Sequence, residues 1–199
     1  MDETNMTTNI EPDRPDSAPD GGEGFDIKRE LYDWAQAIVT AIVFVVILFT
    51  FFVRVTGIKG PSMLPTLHQD DKVLLSNMFY TPERGDIIVL TKKSFMKDPI
   101  VKRVIATEGD TLFFDSVRYE LLVNGKAVEE PYINETMQSG GAILSEPVIV
   151  PEGCVFVMGD NRNNSRDSRD PLVGMVDTRY ILGRLVIRVF PFGSFGPVG

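Results

Sequence analysis

The sequence is poor in the residues that most often announce chemistry: one cysteine, Cys154, and one histidine, His68, in 199 residues. A single cysteine excludes an internal disulfide framework. Its place in the apolar run Cys154-Val155-Phe156-Val157-Met158 marks it as an inert core thiol rather than a reactive one. An excess of positive charge is also missing. The net charge is −8, whereas a nucleic-acid partner wants a basic face, so no nucleic acid is expected. The acidity is uneven, because residues 1–27 hold eight acids and one base and therefore carry −7, leaving −1 for the remainder. Met1 to Phe25 is rich in Asp, Glu, Pro, Thr, Asn and Gly and nearly free of apolar side chains. Such a stretch buries too little surface to offset its ordering entropy, so residues 1–27 are expected to be a disordered acidic tail.

Charge is absent again from Trp34 to Val53, 20 residues that include Ala41-Ile42-Val43-Phe44-Val45-Val46-Ile47-Leu48-Phe49. At about 1.5 Å per residue they span roughly the 30 Å hydrocarbon core of a bilayer, which predicts a transmembrane helix over 34–53. Tyr32 and Trp34 sit where interfacial aromatics belong, and Asp33 and Arg54 mark the ends. A cleaved signal peptide has a shorter apolar region ending at small residues. Here the run continues into Phe51-Phe52-Val53-Arg54, so an uncleaved anchor in the lipid bilayer is the reading. Lys28 and Arg29 on one side against Arg54 and Lys59 on the other leave orientation undecided by positive charge.

After Gly57 there is no amphipathic helical pattern longer than two turns and no internal repeat. Short apolar or alternating runs separated by Gly, Pro, Asn and Asp take over, the texture of a mostly β domain. Strands are predicted at Lys72–Ser76, Asp86–Leu90, Ile100–Thr107, Thr111–Phe114, Leu121–Val123, Ala127–Glu129, Val148–Val150, Cys154–Met158 and Tyr180–Val189. Asn124-Gly125 between two such runs is a two-residue hairpin signal.

Gly60-Pro61-Ser62-Met63-Leu64-Pro65-Thr66-Leu67 opens this domain. Two prolines exclude regular helix and central strand, so Ser62 stands on a stiff turn. A serine hydroxyl becomes a useful nucleophile only beside a base. His68 is six residues away, but a partner that close along a proline-containing loop rarely folds back with useful geometry. Lys102 in Ile100-Val101-Lys102-Arg103-Val104-Ile105 is the stronger candidate. Alternation puts Lys102 and Arg103 on opposite faces of one apolar strand, so at least one of them is hard to keep in water. Arginine keeps its proton, whereas a buried lysine can lose one and act as a base. The alternative is an edge strand whose lysine reaches into solvent. The run Gly159-Asp160-Asn161-Arg162-Asn163-Asn164-Ser165-Arg166-Asp167-Ser168-Arg169 is either a solvated loop or a network that orients a catalytic group. It is not a calcium loop, because Arg166 falls where the turn glycine belongs and Leu172 where a bidentate acid is needed.

Taken in order, these blocks resemble the type I signal peptidases, the leader peptidase family of membrane-anchored Ser-Lys proteases that remove signal peptides from exported proteins. The similarity runs over about residues 30–190 and includes Arg84-Gly85-Asp86-Ile87-Ile88-Val89, Lys102-Arg103-Val104 and Gly109-Asp110 between the serine turn and the acidic loop. It implies Ser62 as nucleophile and Lys102 as general base working through an acyl-enzyme, with no metal and no cofactor. Ser165 would orient the lysine, while Asp160, Asp167 and Arg169 would hold the loop. Ile58, Met63 and Val101 would contact substrate, Ile58 and Val101 forming the pockets for small side chains at −1 and −3. By the same resemblance the tail is cytoplasmic, and residues 56–199 form a catalytic β domain on the outer face of the cell membrane. The partners implied are signal peptides of preproteins, the bilayer and the export translocation machinery. Gly60 stands where some members carry a serine that helps bind the oxyanion, so another donor beside the Ser62 N–H is expected. Only 48 residues separate Asp110 from Gly159, enough for a small hairpin insertion near 115–147, which makes this a compact form. Two rivals stand beside this reading. A repressor-type Ser-Lys autoprotease would carry a DNA-binding domain in place of 34–53, and a non-catalytic anchored β domain would not need both Ser62 and Lys102.

Overall fold

The computed structural model describes residues 27–51, 53–77, 80–92 and 98–198. The acidic tail predicted over 1–27 lies, save Ile27, outside the described residues. The chain divides into two compact units after Phe44.

Helix α1 spans Ile27–Phe51, with Glu30 in its first turn where the helix dipole favours an acid. Residues 27–47 are long and apolar enough to cross a membrane, with mean hydropathy 1.6, and large apolar side chains such as Ile38, Ile42 and Phe44 are exposed. This is consistent with a single-pass membrane anchor. The apolar run does not stay helical to Val53 as predicted, because β1 (Val53–Gly57) pairs antiparallel with β2 (Lys72–Ser76), Val55 opposite Leu74.

The remaining strands are β3 (Ile87–Leu90), β4 (Ile100–Thr107), β5 (Thr111–Asp115), β6 (Glu120–Val123), β7 (Lys126–Ala127), β8 (Val148–Ile149), β9 (Cys154–Met158), β10 (Val176–Asp177), β11 (Ile181–Phe190) and β12 (Gly196–Pro197). They build two sheets. The larger runs β1-β2-β11-β3-β4-β9-β10 with β12 added to β11, and the smaller runs β7-β6-β5-β8. Asn124 and Gly125 both adopt positive φ, 53° and 75°, as a two-residue turn with the strand twist requires, and they join β6 to β7 with Val123 opposite Lys126. Strand β7 stops at Ala127, two residues short of the predicted end.

In β3 every residue is buried, because the strand is central and both its faces are covered. Strand β6 instead alternates, Leu121 and Val123 in and Glu120 out. One apolar cluster, including Phe114, Leu121, Leu144, Phe156 and Met158, joins the two sheets. Cys154 is half-buried against it rather than fully enclosed. A second cluster holds Ile58, Met63, Leu67, Val73, Leu75, Ile87, Val89 and Leu185. This second cluster fixes the turn that carries Ser62, because Met63 and Leu67 point into it from one side of the turn. The turn closes on itself through Leu64 N–H to Pro61 O at 3.1 Å and Leu67 N–H to Met63 O at 2.9 Å. From outside, Arg188 donates to Thr66 O at 2.6 Å and pairs with Asp71 at 3.2 Å.

Truncating a fully buried leucine leaves a cavity that costs about 2–5 kcal/mol. Leu67→Ala is expected to lower unfolding stability by that amount in a denaturant titration of the detergent-solubilised protein. Any activity that depends on Ser62 should fall further than the unfolded fraction accounts for, since the cavity lies under the serine turn.

Candidate active site

The Ser62 turn and the start of β4 meet at the side chains that the sequence paired. Lys102 Nζ donates to Ser62 Oγ at 2.8 Å and to Val101 O at 3.0 Å. Lys102 is 3% exposed, so its head does not reach into solvent as the alternative reading required. Burial pushes its pKa down from the usual lysine value to about 8, against the upward pull of Asp167 and Asp160, with Arg169 lowering it further. A neutral amine is therefore accessible near physiological pH, placed to take the hydroxyl proton. Arg103, on the other face of the strand, is 2% exposed, and neither cation of the pair stays in water. His68 is exposed, and its main-chain N–H caps Asp71 at 3.0 Å.

Asp160 neutralises Arg103. Arg103 Nε and Nη2 donate to the two carboxylate oxygens at 2.8 and 2.7 Å, and Nη1 donates to Gly85 O at 2.8 Å. Thr66 Oγ1 also donates to Asp160, at 2.5 Å, which ties the serine turn to the loop. Asn161 completes the link, its N–H donating to Ser62 O at 3.0 Å and its side chain to Pro61 O at 3.2 Å. Thr66, Arg103 and Asn161 were not among the predicted site residues. Thr66 lies four positions after Ser62 inside the serine motif and Asn161 directly follows Asp160, so position within the blocks was the available signal.

Asp167 is buried and would titrate high for that reason, but bonds from Arg169 at 2.8 and 2.9 Å and from the Gly159 N–H at 3.0 Å hold its carboxyl below the usual range. The Ser165 hydroxyl, buried and without a well-aligned hydrogen bond, lies close enough to Asp167 to favour the ionised form. The hydrogen bond from Ser165 to Lys102 that the resemblance implied is not formed. What brings Ser165 to the site is Gly159, where a Cβ would stand 2.3 Å from Ser165 Oγ and 2.4 Å from Ser62 O.

Ser62 and Lys102 open into a cleft of about 530 Å³ whose walls are Thr56–Lys59 and Pro99–Lys102. Ile58 and Val101 line it. Met63 does not, because it is 1% exposed and its side chain lies in the core under the turn, so its expected contact with substrate is corrected to a packing role. Gly60, at φ 80°, has open space where a side chain would stand. Among the described residues β1 pairs only with β2, and β9 first pairs with β4 at Arg103. The outer edge of Ile100–Lys102 and that of β1 are therefore both free. Lys59 on one wall and Asp98 beside the other pair at 3.3 Å.

Residues 31–190 match the family described as signal peptidase, peptidase S26. The chain is 36% identical over 177 residues to signal peptidase I of Bacillus licheniformis, covering 84% of this chain and 92% of that one. It is 37% identical over 182 residues to signal peptidase I S of Bacillus subtilis strain 168, covering 86% and 96%. A signal peptidase I of known structure from Enterococcus faecalis V583 is 29% identical, covers 54% of this chain and 98% of that one, and aligns with a TM-score of 0.45. The chain belongs to the signal peptidase family, peptidase S26.

Gly159→Ala tests the close approach of the loop to the serine turn. The added methyl has to displace the Ser62 carbonyl, which is backbone, and a misplacement near 1 Å costs about a hundredfold in rate. Peptidase turnover is expected to drop by about that factor, read in a preprotein cleavage assay.

Proposed function

We propose that the chain removes N-terminal signal peptides from exported preproteins, with Ser62 as nucleophile and Lys102 as general base. The observation that carries this reading is the buried Lys102 amine 2.8 Å from Ser62 Oγ. Neutral Lys102 takes the hydroxyl proton as Ser62 Oγ attacks the scissile carbonyl. The resulting ammonium returns that proton to the leaving amine, and an acyl-enzyme ester remains. Lys102 then takes a proton from water, the hydroxide attacks the ester, and Ser62 regains its hydrogen. Proton transfer within the pair suffices for the steps, so no metal or cofactor is invoked. The oxyanion would be held by the Ser62 N–H and a second donor. Gly60 has no side chain to supply one, and loss of such a donor costs on the order of 10²–10³ in rate.

The substrate is read as an extended peptide that adds to the free edge at Ile100–Lys102, where the main chain gives affinity and alternate side chains enter pockets. Ile58 and Val101 narrow those pockets toward small residues at −1 and −3. Ser165, Asp160, Asp167 and Arg169 keep the base and the serine turn in place. We read α1 as crossing the cell membrane with the tail cytoplasmic and the β domain on the outer face. Tethering there, close to the translocation machinery, raises the effective concentration of emerging cleavage sites.

Ser62→Ala and Lys102→Met are each expected to abolish cleavage of a preprotein by the purified protein, and retention of cleavage by either would refute the pair. The pH profile of kcat/KM provides a separate check. Because the neutral amine is the active form, the rate should fall as pH drops through about 8 and level off above it. A profile flat down to pH about 6, well below that titration, counts against Lys102 as base.

A further inference from the structure

Residues 128–147, between β7 and β8, take no part in the steps above, yet they are bound to the Gly159–Arg169 loop along their length. The side chain of Asn163 accepts from the Gln138 N–H and donates to Thr136 O, both at 3.0 Å. Arg169 Nη1 donates to Ser139 O at 3.3 Å. Deeper in, Arg162 donates with both terminal nitrogens to Glu130, each at 2.5 Å, and with Nε to Gly159 O at 3.1 Å. Tyr132 sits between these groups. Its ring centroid is 3.9 Å from Arg103 Cζ and 5.8 Å from Arg162 Cζ, and its hydroxyl donates to Glu130 at 3.2 Å.

The nitrogens of Arg103 are committed in its own plane, two to Asp160 and one to Gly85 O. Its flat face is what remains, and a buried guanidinium face is stabilised by an aromatic ring within about 6 Å. The ring therefore sets the plane of Arg103, the plane sets both oxygens of Asp160, and Asp160 holds the Thr66 hydroxyl on the serine turn. We propose that Tyr132 is a positioning residue of the peptidase reaction, holding Arg103 on Asp160 through the face of its ring and making the 128–147 segment a working part of the site. This rests on Ser62 and Lys102 as the reacting pair.

An electrostatic consequence separates this role from plain packing. The charged groups that face the Lys102 amine are Asp167, Asp160 and Arg169. While Arg103 grips Asp160, part of that negative charge is cancelled. With the grip loosened Asp160 acts more fully on Lys102, favours the ammonium, and moves its titration to higher pH. Tyr132 itself does not interfere, since burial and the Glu130 carboxylate push its phenol up to about 12.

The experiment compares the full chain carrying Tyr132, Tyr132→Phe, Tyr132→Leu, and pentafluorophenylalanine at position 132, which keeps the ring's shape and reverses its attraction for a cation. Preprotein cleavage is followed across pH, with thermal melting as control. Tyr132→Phe should stay within about threefold of the parent, having lost one hydrogen bond. The fluorinated ring and Tyr132→Leu should lower kcat by about tenfold or more with KM little changed, and both should move the acid limb upward. Because the fluorinated variant retains the packing shape, it answers even where Tyr132→Leu fails to fold. If it matches Tyr132→Phe in kcat and in pH profile, while Ser62→Ala and Lys102→Met are inactive, the positioning role is overturned and the reacting pair stands. If Ser62→Ala or Lys102→Met still cleaves, the pair falls and this role with it.

Discussion

The cost of enclosing the Lys102 ammonium is the constraint on which the rest of the site depends. Desolvation of a charged amine drives it toward its neutral form, but two buried carboxylates nearby pull the other way. The site balances them by giving each carboxylate its own arginine: Asp160 holds Arg103 and Asp167 holds Arg169, each through two hydrogen bonds from the guanidinium. A buried pair of this kind is a poor source of stability compared with an apolar core, yet breaking one leaves a charge that costs about 3–5 kcal/mol. The acidic loop is thus bound to its position by charges that have no other place to go. The Lys102 amine beside them is held well below the usual lysine value, at about 8.

That arrangement also explains how three distant stretches of chain converge. The serine turn reaches the loop through Thr66 and through the Ser62 and Pro61 carbonyls. Strand β4 reaches it through Arg103, and the 128–147 segment through Glu130 and Tyr132. Each connection is a hydrogen bond or a ring face rather than an apolar contact, so it fixes direction as well as distance. The apolar clusters below the turn supply most of the stability, and the polar layer above them supplies the geometry.

Much of this was legible in the residues because it follows from local rules. Period-two alternation and the Asn124-Gly125 turn marked the strands, and the adjacent cations in an apolar strand singled out Lys102 as a candidate for burial, with a solvated edge lysine as the alternative. The boundary between membrane helix and domain was displaced because an apolar run around residues 51–57 reads alike as helix or strand until a partner strand is known. Met63 was expected at the substrate from the resemblance, but its side chain turns inward and anchors the turn in the core. Glu130 and Tyr132 carried no signal at all: they lie in an irregular segment with no periodicity, and their partners are 29 to 32 residues away in the chain. Ser165 was recognised by its place in a motif, and its packing on Gly159 comes from a close approach that no one-dimensional pattern records.

The two strand edges that flank the cleft, unpaired among the described residues, have a consequence for the protein among its own copies. Unpaired main-chain groups on a strand edge can pair with any added strand, including the matching edge of a second molecule. Sheet proteins blunt such edges with charge, lysine above all. Lys59 and Asp98 stand across this opening, and Lys72 and Asp70 also line the cleft, so the matching edge of a second copy meets charge rather than an open apolar border. That fringe of charge is then what keeps the edges of two copies from pairing with one another.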